Sequence, residues 1–297
     1  MKWQTIVLVL LLIAVLLVIL EMVREVHTFK VTRYTIRPKK LYGLARNLNL
    51  VFLSDLHNRS YGEENERLIE AIRREEPDLI LIGGDMLVGG GEVPCEAALA
   101  LITSLTDLCP VIYANGNHEQ RLKEDPGECE PAYREYREVL EESGVIFVEN
   151  ERLNIPAGRN SIKISGLELP MEAYQKFKKE DITPEQIEEC LGFCPAREQE
   201  EGEYHILLAH NPTYMESYLE WGADLILSGH LHGGMVRVPG VGGAITPQGF
   251  FFPKYSGEMT QVGDQTVIVS RGLGTHTFHI RLLNQPEIVT VRLKKPL

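Results

Sequence analysis

Cysteine is scarce and unpatterned in this chain of 297 residues. Cys95, Cys109, Cys129, Cys190 and Cys194 are odd in number and include no Cys-x-x-Cys pair. That excludes a complete disulfide framework, argues against structural zinc and suits a reducing compartment. An excess of basic charge is also missing. The formal net charge is −12, and residues 119–203 alone hold 22 acidic against 11 basic side chains. Extended binding to duplex nucleic acid, which neutralises many phosphates with Lys and Arg, is not expected. No internal repeat, heptad run or low-complexity segment is present, and nothing points to an obligate protein partner.

Charge of either sign is absent between Lys2 and Glu21, where Ile6 to Leu20 is unbroken aliphatic sequence. As a helix this stretch is long enough to cross the hydrocarbon core of a bilayer. A cleaved signal peptide would need small residues after the apolar run, and Glu21 to Val26 offers none, so residues 1–27 are expected to form an uncleaved membrane anchor. Arg24, Lys30, Arg33, Arg37, Lys39 and Lys40 follow the segment, against Lys2 and the terminal amine before it. The positive-inside rule then favours a cytoplasmic domain over residues 28–297, although one helix with an exportable domain behind it can defy that count.

Within that domain, apolar runs alternate with helical periods. Leu48–Leu53, Leu79–Ile82, 110–114, 204–209 and 223–227 read as buried strands, with helices over 63–75 and 95–105. Each strand opens into polar residues, as parallel strands do at the ligand-binding edge of an α/β sheet. In order these are Asp55 and His57, Asp85, Asn117 and His118, His210, then His230 and His232. Singly, each has a plain structural explanation: Asp55 as a turn or helix cap, His230 and His232 as surface residues of a Gly-rich turn. Together, imidazoles and carboxylates at one edge suit a hard or borderline metal ion. The acidic stretch 120–203 carries further strands at 145–148 and 162–165, a helix over 133–143 and another beginning at Thr183-Pro184. Its polar part, 171–202, is either a solvated excursion or a lid near the site. The tail after Met235 has an antiparallel flavour. His276 and Arg271 are weaker candidates for contacting phosphate, and His205 and His279 fit apolar strand patterns as structural residues.

The motifs run Asp-Leu-His at 55–57, Gly-Gly-Asp at 83–85, Gly-Asn-His-Glu at 116–119, Ala-His before Asn-Pro at 209–212, and Gly-His-Leu-His-Gly-Gly at 229–234. In this order they resemble the calcineurin-like metallophosphoesterase family over essentially everything after Leu48. The tail from 235 to 274 and the N-terminal anchor look most like its small bacterial membrane-linked branch. The resemblance implies a two-sheet αββα sandwich and two divalent ions, manganese, iron or zinc. It assigns Asp55, His57 and His232 to one ion, Asn117, His210 and His230 to the other, and Asp85 to both. His118 is expected off the ions, as a protonated donor to the leaving-group oxygen. Glu119 stands where the family often has Asp and could support His118. The implied substrate is a phosphate ester, with a diester, lipid-linked or from the envelope, as the expectation. A phosphomonoesterase or protein phosphatase carries the same motifs, whereas a binding protein on this fold would be expected to lack ligands or His118.

Overall fold

The computed structural model describes residues 3–90, 93–125, 127, 129–197, 201–246, 249–275 and 280–296. In chain order its helices are α1 (Trp3–His27), α2 (Glu66–Arg73), α3 (Glu96–Thr106), α4 (Asn117–Glu124), α5 (Cys129–Glu142), α6 (Pro184–Leu191) and α7 (Met215–Trp221). Its strands are β1 (Lys30–Ile36), β2 (Leu48–Leu53), β3 (Leu79–Ile82), β4 (Val111–Tyr113), β5 (Ile146–Phe147), β6 (Glu151–Ala157), β7 (Asn160–Leu167), β8 (Glu203–Ala209), β9 (Leu225–Ser228), β10 (Arg237–Val238), β11 (Gly242–Gly243), β12 (Met259–Val262), β13 (Gln265–Val269) and β14 (Glu287–Leu293). Two six-stranded sheets result, ordered β1-β14-β2-β3-β4-β5 and β12-β13-β9-β8-β7-β6, beside a small β10-β11 ribbon.

Side chains alternate across each strand, and that alternation builds three apolar layers. Leu50 and Phe52 of β2, Leu79 and Leu81 of β3, Ile206 and Leu208 of β8 and Leu225 and Leu227 of β9 meet between the sheets. Val51, Leu53, Ile80 and Ile82 face the other way, onto Leu68 and Ile72 of α2, Leu101 and Leu105 of α3 and Tyr136 and Leu140 of α5. Leu207 and Ile226 cover the far side of the second sheet together with Ile187 of α6 and Tyr218 and Trp221 of α7. The order is helix, sheet, sheet, helix, as expected.

Parallel pairing of β2 with β3 and β3 with β4 in one sheet, and of β8 with β9 in the other, brings their carboxyl ends to one edge of the sandwich. The last strand, β14, lies between β1 and β2, parallel to the first and antiparallel to the second. The tail is therefore mixed rather than simply antiparallel, since β13 also pairs parallel to β9 and antiparallel to β12.

Two local expectations are corrected. The helix over 63–75 is interrupted: Glu64 and Asn65 have φ of +48° and +64°, and α2 begins only at Glu66. Buried Asn65 dictates this, its Oδ1 accepting the Tyr61 N–H at 2.8 Å while its Nδ2 donates to Ala97 O at 2.8 Å. The helix expected over 133–143 begins a turn earlier, at Cys129, as α5, and the strands expected at 145–148 and 162–165 lie in the two sheets as β5 and β7, with β6 beside β7. β6 is an edge strand with mostly exposed side chains, and it tolerates Pro156 for that reason.

Phe52 is fully buried between the sheets. Phe52→Ala should lower stability by about 3–5 kcal/mol, read as a shifted denaturant midpoint; a change below about 1 kcal/mol would mean that the sheets do not depend on this contact.

Candidate metal centre

All eight candidate residues lie just past a strand end: Asp55 and His57 after β2, Asp85 after β3, Asn117 and His118 after β4, His210 after β8, and His230 and His232 after β9. The first three strands belong to one sheet and the last two to the other, so the residues meet at the seam between the sheets. Sharp turns are needed to aim them there. Asp55, His57, Asp85, His230 and His232 all have left-handed backbones, with φ between +50° and +64°. Such conformations are uncommon for side-chain-bearing residues and cluster at functional sites. Gly229 and Gly116 make the close approaches possible. A Cβ at Gly229 would sit 1.9 Å from Ser54 Oγ and 2.4 Å from Asp55 Oδ2, and one at Gly116 would sit 2.2 Å from Asp85 Oδ1.

Among the described residues, three sets bring one donor atom from each side chain within 4.8 Å of one another: Asp55, His57 and His232; His57, Asp85 and His118; and Asp85, His210 and His230. The sets share His57 and Asp85, which makes them one continuous cluster. His57 Nε2 lies 3.2 Å from His232 Nε2, and His232 Nε2 lies 3.6 Å from Asp55 Oδ1. The Asn117 side-chain oxygen is buried without a hydrogen-bond partner. His210 Nε2 approaches Asp85 Oδ2 at 3.0 Å but lacks hydrogen-bond alignment. Buried donors left in this state fit a metal ion, and a set of imidazole, carboxylate and amide without thiolate suits manganese, iron or zinc.

The backbone fixes what each imidazole offers. His57 Nδ1 meets Leu87 O at 3.1 Å and His210 Nδ1 meets Gly83 O at 2.6 Å, so both rings carry Nδ1–H and leave Nε2 available to a cation. His118 is the reverse: its Nδ1 accepts the Gly89 N–H at 2.6 Å, so the neutral ring carries its proton on Nε2, 3.9 Å from Asp85 Oδ2.

Carboxylates this deep need compensation. Burial, opposed by His210 and reinforced by Asp85, raises the Asp55 carboxyl to about 7. Burial pushes Asp85 upward too, but His210, His118 and His57 outweigh it and hold Asp85 well below the usual carboxylate range. Burial disfavours charge on His210 as well, yet the adjacent Asp85 carboxylate raises that ring to about 10. In the ion-free protein a proton on His210 thus supplies part of the positive charge that a metal would bring. Asp55 is oriented by the Ser54 hydroxyl on Oδ2 and by the His230 N–H, 2.9 Å from Oδ1.

Glu119 has a role that the sequence did not disclose. Its buried carboxylate accepts N–H groups of Asp85 at 2.7 Å, Met86 at 2.7 Å, Leu87 at 3.0 Å and Gly116 at 3.0 Å, and the Tyr113 hydroxyl at 3.0 Å. It clamps the β3 loop to the β4 loop rather than bonding His118. The only signal was a Glu three residues after Gly116, a capping-box spacing with the usual Ser or Thr replaced. Tyr174 was also missed. Its ring stands 5.2 Å from the His230 ring, edge to face, so the first turn of the 171–202 segment roofs the site. Arg271 is engaged elsewhere, its Nε donating to Gly257 O at 3.1 Å. His205 is buried in β8 as expected, and His276 and His279 lie outside the described residues.

Residues 48–234 match the sequence model of a family described as calcineurin-like phosphoesterase. The Bacillus subtilis protein YpbG, described as uncharacterized, is 28% identical over 277 residues, covering 92% of this chain and 88% of its own length. The uncharacterized metallophosphoesterase YkoQ of the same organism is 26% identical over 277 residues, with 89% and 90% covered. The phosphodiesterase YaeI of Escherichia coli is 25% identical over 253 residues, with 84% and 83% covered.

Gly229→Ala should empty the centre, because the new methyl group occupies the space of Ser54 and Asp55; elemental analysis beside a circular dichroism spectrum tests this, and retained metal would refute it. The His210 ring, raised from 6.5 to about 10 before metal enters, must lose its proton to bind. Calorimetric titration of metal-stripped protein in buffers of different ionisation enthalpy should show proton release at neutral pH and affinity that weakens as pH falls. In stripped protein the His210–Asp85 attraction stabilises fully below pH 6.5 and is lost as pH rises through about 10. Buffer-independent heats would contradict the assignment.

Proposed function

Since this chain belongs to the calcineurin-like phosphoesterase family and is a metal-dependent phosphoester hydrolase, we propose that it cleaves a phosphodiester at a centre of two divalent ions, tethered to a membrane by α1. Asp55, His57 and His232 would hold one ion, Asn117, His210 and His230 the other, and Asp85 would serve both. When bound, the ions polarise phosphoryl oxygens and activate a water for in-line displacement. The chain does the rest. Ser54 and the His230 N–H fix the Asp55 carboxylate, while Leu87 O and Gly83 O keep the Nε2 atoms of His57 and His210 turned inward. Gly89 N–H fixes the His118 ring so that its Nε2–H donates to the leaving-group oxygen as charge builds there. Tyr174 shields one side from water.

The observation that carries this reading is the opposite orientation of the imidazoles: backbone carbonyls take Nδ1–H of His57 and His210, so that Nε2 is the atom left for a cation once His210 has released its proton, whereas a backbone N–H takes Nδ1 of His118 and leaves Nε2–H as a donor. A diester is favoured over a monoester by the E. coli relative, which is named a phosphodiesterase. α1 supports the tether as a 25-residue helix long and apolar enough to span a bilayer.

The test is hydrolysis of bis-p-nitrophenyl phosphate beside p-nitrophenyl phosphate by detergent-solubilised full-length protein, metal-stripped and then restored with manganese, iron or zinc. Restored diesterase activity is expected. Asp85→Ala should abolish it together with metal binding, and His118→Ala should lower turnover about 10²–10³-fold with metal content unchanged. Preference for the monoester would replace this reading with a phosphomonoesterase, and unchanged turnover in His118→Ala would remove that residue from the mechanism.

A further inference from the structure

The base of α1 is built into the domain. Only Thr28 and Phe29 separate α1 from β1, and Glu25 in the last helical turn is buried. Glu25 Oε2 accepts the Asn284 N–H at 2.9 Å. The Asn284 side chain in turn donates from Nδ2 to His232 O at 2.6 Å and to Gly234 O. One residue therefore stands between the apolar helix and the loop that carries His230 and His232. Beside this link a cavity of about 410 Å³ is lined by Arg237, Val238, Val241, Glu258, Arg271 and Leu283, among others. Arg237 Nη1 donates to Gly233 O at 2.9 Å, so the cavity backs onto the same loop. Val241 and Leu283 are 63% and 49% exposed, although both are aliphatic.

The level of this face relative to a bilayer follows from helix geometry. The aliphatic run ends at Leu20, and Glu25 lies just over one turn further on, about 7.5 Å along the axis. The headgroup layer extends roughly 5–8 Å beyond the hydrocarbon on each side. With α1 across a bilayer, Glu25, and with it Asn284 and neighbouring Leu283, would stand at headgroup depth.

We propose that this face, with Val238, Val241 and Leu283, rests on the lipid surface, so that the centre takes its diester from the membrane: an amphiphile whose headgroup is joined through phosphate. The inference rests on the tethered phosphodiesterase reading and specifies its substrate class.

Two measurements test it, one independent of catalysis. Val241→Trp and, as a control on α5, Val139→Trp are made in a Trp3→Phe background and reconstituted into phosphatidylcholine vesicles with brominated acyl chains. Fluorescence quenching well above the control is expected at position 241; equal quenching overturns the contact. Full-length protein in phosphatidylethanolamine–phosphatidylglycerol vesicles is then assayed on phosphatidyl-p-nitrophenol and on soluble bis-p-nitrophenyl phosphate. Val241→Asp with Leu283→Asp should lower turnover of the lipid about tenfold or more relative to the soluble diester. An unchanged ratio overturns the proposal. Hydrolysis of neither diester, with quenching intact, would count against the phosphodiesterase reading and leave the lipid contact standing.

Discussion

The carboxylates of Asp55 and Asp85 are buried together at the seam of the two sheets, and the rest of the site answers to that charge. Removing an ionised carboxylate from water costs several kcal/mol even after the protein relaxes. Here two are brought close enough that Asp85 raises the pKa of Asp55. Backbone donors, the Ser54 hydroxyl and the His118 and His57 rings offset part of this cost, and in the ion-free state a proton on His210 offsets more. A divalent cation does the same work without a proton, which is why the cluster fits metal better than it fits a structural ion pair.

Holding these groups in place requires conformations that the sandwich itself does not favour. Five candidate ligands adopt left-handed backbones, at a cost of order 1–3 kcal/mol each. The three-layer core and Glu119 are what make that tolerable. With four backbone N–H groups and one phenol on a single buried carboxylate, Glu119 ties the turn carrying Asp85 to the turn opening α4. A second tie lies further out, where Lys123 of α4 reaches Glu149 beyond β5 and Glu168 beyond β7, linking that helix to both sheets.

Legibility in the sequence followed burial. β2 and β3 read to the residue because strands buried on both faces are continuous apolar runs, and the strand-end polar groups followed from them. β6 did not, since an exposed edge strand has no apolar run. The α4 helix begins Asn-His-Glu-Gln and buries its polar side chains in the site, so no apolar period marks it. His118 lies beside the cluster, but its tautomer depends on Gly89 N–H, a backbone group from a loop 29 residues away that no side-chain pattern encodes. Tyr174 and Asn284 escaped for a similar reason, because their importance comes from what they touch.

The link from Glu25 through Asn284 to the His232 loop joins α1 to the centre itself, so the apolar helix and the ligand-bearing loop share one buried hydrogen-bonded residue. All of this rests on the claim that seven side chains at the seam hold two ions with Asp85 between them. Anomalous diffraction from crystals of the manganese- or zinc-loaded protein, recorded on either side of the metal absorption edge, tests that claim most directly. The account predicts two peaks about 3.5–4 Å apart flanking the Asp85 carboxylate. A single peak, or a pair that Asp85 does not touch, would contradict it.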